Sequence, residues 1–146
     1  MRLSDLFQQR AQDVSDALQI PLPVTWDVGD YAHFKTPRGF GVTFRDFPGA
    51  VCHIRLSKKL LRSPQHRQDG IIRHELGHVI DLTFPAREVT SWAASRGVRL
   101  APQKHGELRA DDIAHAVWLE PLRYEKPLFV QSTKKGVYPR PVHLGK

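Results

Sequence analysis

The chain has 146 residues and a formal charge of +7, with 40% hydrophobic and 25% charged residues. That suits one domain around one hydrophobic core, and no apolar run is long enough to span a membrane. A single cysteine, Cys52, excludes an internal disulfide framework and fits a reducing compartment. The opening MRLSDLFQQRAQDV has no hydrophobic region of the secretory kind, so a cytoplasmic location is expected.

The first element expected is a helix capped by Ser4 or Asp5, with Phe7, Ala11, Val14 and Leu18 on one face. Pro21 and Pro23 end it. Four strands are expected next: Val24 to Val28, Tyr31 to Lys35, Gly39 to Arg45 and Ala50 to Ser57. The joins between them carry turn chemistry in Gly29-Asp30, Pro37-Arg38-Gly39 and Pro48-Gly49, which predicts an antiparallel meander. Cys52, Ile54 and Leu56 share a strand face, so the thiol reads as core, while His53 and Arg55 point to solvent or a cleft. The period then changes to helical, from about Asp69 to Leu82. A short helix opens at Pro85 and Ala86, has Val89, Trp92 and Ala93 on one face, and ends at Gly97. A last helix runs from Glu107 to Glu120 and is closed by Pro121. The expected organisation is one domain over residues 1–122 and a basic, proline-containing tail over 123–146.

The helix IIRHELGHVIDL, Ile71 to Leu82, poses the chemical question. Polar heads inside an apolar helix need partners or incur a penalty for leaving water. Residues four apart on a helix share a face, so His74 and His78 can present two imidazole nitrogens to one metal ion, with zinc the natural choice. Glu75 is displaced from that face enough to miss the metal and reach a water beside it, which is the mechanical content of HExxH. Ile72, Leu76, Val79 and Ile80 form the opposite, packing face. Gly77 costs about 1 kcal/mol relative to alanine in a helix, so it implies close approach to a neighbouring strand or helix.

A catalytic zinc usually has three protein ligands and one open position. Phe84 stands where the extended HExxHxxGxxH signature requires a histidine, and Met1 is the only methionine, so no Met-turn is available. Glu107 is the better third ligand, at the head of a stripe with Asp111, Ala114 and Trp118. Asp111 would then take a hydrogen bond from a ligand histidine and fix its tautomer. Asp111 or Asp112 would replace Glu107 as ligand were that assignment wrong. Asp81, three residues after His78, is either a supporting acid or an exposed one at the helix end.

HELGH followed by ELRAD resembles the HExxH plus ExxAD pairing of gluzincin metallopeptidases, over roughly Ile54 to Pro121. The nearest likeness is to compact soluble forms, the minimal gluzincins and the ImmA/IrrE-like peptidases, which cut regulatory proteins. The resemblance implies Zn²⁺ on His74, His78 and Glu107, Asp111 in support, and Glu75 as the general base of peptide hydrolysis. A later side chain often stabilises the transition state in such enzymes, and His115 and Tyr124 are the candidates.

The expected fold is therefore α+β and zincin-like, with a small antiparallel sheet packed on the HExxH helix and a glutamate helix following. The expected partner is a protein or peptide substrate, added as a strand to Ala50–Ser57 if that strand lies at a sheet edge. Basic runs at Arg55–Arg73 and Arg123–Lys146 support a rival reading, a noncatalytic zinc protein that binds nucleic acid or an acidic partner. No DNA- or RNA-binding pattern accompanies them, and a solvated basic surface is the simpler account. Oligomeric state is not legible.

Overall fold

The computed structural model describes residues 2–18, 24–36, 39–45 and 52–120. The tail over 123–146, with Tyr124, and the end of the 1–122 domain lie outside them.

Helix α1, Leu3–Leu18, forms because Leu3, Leu6, Phe7 and Val14 recur at helical spacing. All four are buried, and Ala11 packs beside them. Phe7 stacks on Trp26 of strand β1, Val24–Val28, with ring centroids 4.8 Å apart. Strands β2, Gly41–Arg45, and β3, Cys52–Leu56, complete a three-stranded sheet in the order β1-β3-β2. Cys52, Ile54 and Leu56 have no exposed surface, worth about 1.5–3 kcal/mol for each of the two larger side chains.

The architecture is α+β, but the sheet is mixed where an antiparallel meander was expected. β1 runs parallel to β3, and β2 runs antiparallel to it. Gly29-Asp30 does not turn the chain: the Gly29 N–H bonds the Leu56 carbonyl at 3.1 Å and so prolongs the parallel ladder. The expected strand Tyr31–Lys35 is a 3-10 turn over Ala32–Lys35 that buries only Phe34. One apolar contact in four residues suits a three-residue period better than strand alternation. The longer path so gained lets β2 cross to the far side of β3. β3 is therefore central, not an edge, and among the described residues β2 forms an edge.

Helix α2, Lys58–Leu61, is capped by Ser57, whose hydroxyl accepts the Lys59 N–H. Helix α3, Gln65–Thr83, begins before the expected Asp69, because the Pro64 carbonyl accepts the N–H groups of Arg67 and Gln68. The basic segment there has no apolar period to announce the onset. Helix α4, Ala86–Ser95, ends as expected at Gly97, in the left-handed region at φ 82°. Helix α5, Gly106–Trp118, crosses α3. Gly77 is the point of approach: a β-carbon there would overlap the Ala110 carbonyl oxygen and lie 3.0 Å from its carbon. Ile71, Ile72, Leu76, Val79 and Ile80 of α3 pack into the core with Leu108 and Ile113 of α5.

Polar ties lock the helices. Arg10 of α1 donates to Asp69 of α3 at 2.7 Å, and the Trp118 ring N–H reaches Asp13 at 3.2 Å. Buried Arg109 donates to Asp81, to the carbonyls of Ala86 and Ala101, and to Thr90. Trp92 and Trp118 are both partly buried against the core. Among the described residues no helix is long and apolar enough to cross a membrane.

Candidate metal centre

The crossing of α3 and α5 brings His74, His78 and Glu107 together, with one ligand atom of each within 4.8 Å of the others. His74 Nε2 lies 2.9 Å from Glu107 Oε1 and 3.1 Å from His78 Nε2, and His78 Nε2 lies 3.4 Å from the same Glu107 oxygen. Donors at tetrahedral corners about 2.05 Å from a zinc ion are about 3.3 Å apart. The three edges match that spacing.

Hydrogen-bond bookkeeping gives the same answer. Fully buried His74 meets the Asp111 carboxylate at 2.8 Å through Nδ1, and a carboxylate accepts, so Nδ1 carries the proton and donates it in the hydrogen bond. The Nε2 of neutral His74 is then a lone pair aimed at another imidazole nitrogen and at a carboxylate. That lone pair faces the Glu107 carboxylate at 2.9 Å, an acceptor-to-acceptor contact that a proton or a metal ion would relieve.

The electrostatics express this demand. Burial opposes charge on His74, yet Asp111 and Glu107 together hold its pKa well above the usual histidine value. Desolvation likewise works against Glu107, but hydrogen bonds from His74 and His78 keep it ionised far below the ordinary carboxylate range. A metal bound here would take the place of that proton, and Asp111 would hold the imidazole oriented in either state.

Glu75 stands beside the ligands without joining them. Its Oε1 accepts the Thr43 hydroxyl at 2.7 Å, and its Oε2 is 4.0 Å from His74 Nε2. β2 passes directly over this carboxylate. A β-carbon on Gly41 would sit 3.1 Å from Glu75 Oε2, so glycine spares that oxygen a tight contact. Thr43 and Gly41 are the site residues that sequence reading missed. The signal was their shared strand face, which is small and polar where Val42 and Phe44 on the other face are apolar.

The remaining candidates separate from the centre. Asp81 pairs with Arg109 at 2.9 Å, and Asp112 accepts the Ala101 N–H at 2.7 Å, so each already has a structural partner. His115 is half-buried on α5, eight residues beyond Glu107 and so about 12 Å farther along the helix axis. That is beyond reach of a group held at the three ligands. His53, expected at solvent or the cleft, is buried on the sheet face away from the helices. Its Nδ1 meets the Thr25 hydroxyl at 2.7 Å and its Nε2 lies 3.3 Å from Asp27. Arg55 clamps that same aspartate with two hydrogen bonds, at 2.9 and 3.1 Å, and holds its pKa below the usual carboxylate value. Comparison with protein-family models, curated proteins and solved structures finds no match to this chain.

Proposed function

We propose that the chain is a zinc metallopeptidase of gluzincin type with a zincin-like core. The observation that carries this reading is the convergence of His74, His78 and Glu107 beside a buried glutamate that is not a ligand. Zinc held by these three residues would polarise the scissile carbonyl and bring the pKa of its fourth ligand, a water, toward neutrality. Glu75 accepts the proton of the attacking water at Oε2 and returns it to the leaving amine. Thr43 holds the other carboxylate oxygen, so Oε2 keeps its aim. Asp111 prevents His74 from turning its ring.

The edge position of β2 supports an extended substrate. Among the described residues β2 pairs only with β3, and a peptide laid along its outer side would gain main-chain hydrogen bonds next to Glu75. Protein or peptide is thus the substrate class, and a regulatory protease with one dedicated target fits the same geometry. A purely structural zinc site has no use for a carboxylate buried next to its ligands.

The test pairs metal content with hydrolysis. Wild type should carry about one zinc per chain and cleave an unfolded protein such as casein. Glu75→Gln should keep the zinc and lose roughly 10²- to 10⁴-fold in rate. Equal cleavage by the two proteins, or no zinc in wild type after reconstitution, overturns the reading.

A further inference from the structure

The Gly41 end of β2 runs into a depression of about 460 Å³ lined by Phe40, Lys58, Lys59, Arg62, Ser63 and Arg67. Four of these six side chains are cationic and none is acidic. Phe40 joins the depression to the strand: its carbonyl accepts the Ser57 N–H at 2.8 Å, which carries the β2–β3 ladder one step beyond Gly41. Its buried ring also organises the cations. Lys59 Nζ lies 4.9 Å and the Arg67 guanidinium 5.4 Å from the ring centroid, both within cation–π range. Lys59 is held further by the Thr36 carbonyl at 2.7 Å.

Several arginines elsewhere are paired with a carboxylate. Arg10 faces Asp69, Arg55 faces Asp27, Arg73 faces Glu120, and Arg109 faces Asp81. The depression instead gathers four cations at one end of the edge strand with no acid in its lining. Like charges gathered in a concave, partly apolar wall raise the local potential, and an anion entering there relieves their repulsion.

We propose that this depression is a specificity subsite for an acidic side chain of the peptide substrate. The inference rests on the peptidase reading, because it takes β2 as the strand that holds the substrate. Thr43 touches Glu75, and Phe40 lies three residues away, about 10 Å along a strand. The subsite therefore receives a side chain two to four residues from the scissile bond. Its size suits one or two side chains and not a polynucleotide track, which needs a continuous basic stripe.

Binding tests the subsite independently of cleavage. Zinc-loaded Glu75→Gln is titrated at physiological salt, by fluorescence anisotropy, with a labelled octapeptide containing three glutamates and with its glutamine counterpart. The glutamate peptide should bind at least about tenfold tighter. Lys58→Glu/Arg62→Glu should remove that preference, while Arg87→Glu/Arg99→Glu, with the same change in net charge, should retain it. Phosphoserine in place of glutamate asks whether phosphate satisfies the site as well as carboxylate does. Equal binding of the glutamate and glutamine peptides overturns the subsite, and so does a preference that survives Lys58→Glu/Arg62→Glu. Tighter binding of a DNA oligonucleotide that depends on Lys58 and Arg62 also overturns it and makes the depression part of a nucleic-acid surface. Failure of the peptidase reading is visible separately, as zinc-loaded wild type that cleaves nothing.

Discussion

Two buried histidines in this molecule each contact a carboxylate, and only one belongs to the candidate metal centre. His74 gives Nδ1 to Asp111 and turns Nε2 toward His78 and Glu107. His53 meets the Thr25 hydroxyl with Nδ1 and Asp27 with Nε2, and Arg55 already neutralises that aspartate. Burial and a nearby acid are common to both. The difference lies in what the second nitrogen faces: more electron-rich atoms at His74, and a compensated carboxylate at His53. A histidine becomes a ligand when its surroundings leave a deficit of positive charge in front of it, and Arg55 has removed that deficit at the outer face of the sheet.

The comparison breaks first on metal content. His74→Asn should leave no stoichiometric zinc, whereas His53→Asn should keep about one per chain, both measured by elemental analysis after reconstitution. Zinc lost from His53→Asn would show the two sites to be coupled. Asp111→Asn sharpens the contrast: it keeps the shape but weakens the hold on the imidazole, and should cost roughly 10- to 100-fold in zinc affinity by chelator competition. Gly41→Ala crowds Glu75 Oε2 without touching a ligand. It should leave zinc affinity unchanged and lower the rate of hydrolysis by about tenfold or less, well short of the loss from removing the base. The smallest effect belongs to the outer face. Asp27 has a lowered pKa in the folded chain, so its pairing stabilises above the unfolded value of about 3.9 and is lost as pH falls through the folded value. Asp27→Asn should therefore be less stable than wild type at neutral pH, with the gap closing below about pH 4 in denaturant melts.

The candidate metal centre was legible because a helix converts sequence spacing into spatial spacing: the placement of His74, Glu75 and His78 needed no tertiary knowledge. Glu107 and Asp111 followed from the same logic one helix later. The sheet was less legible. Gly29-Asp30 and the alternation of Tyr31–Lys35 have the local chemistry of a hairpin, but turn residues cannot report that the strand beside β1 arrives later in the chain. β2 misleads for a different reason. Its Gly41 and Thr43 face the helices and its Val42 lies on the far face, so hydrophobicity alone points away from the side that carries the chemistry. The reversal is local to the strand that covers Glu75. His53 was misplaced because its burial on a polar face depends on Thr25 and Asp27, which adjoin it only after β1 and β3 pair.

The contact between Gly77 and Ala110 sets a tolerance for the whole molecule. Glu107 sits less than one helical turn from Ala110, and His74 and His78 flank Gly77, so the gap between the two backbones gauges the distance between ligands. Any side chain at position 77 forces a relief on the order of 1 Å, several times the roughly 0.2 Å latitude of a zinc–ligand bond. One absent methyl group thus works as a machinist's shim left out on purpose. A chain with alanine there can keep its core and its helices and still lose the ion.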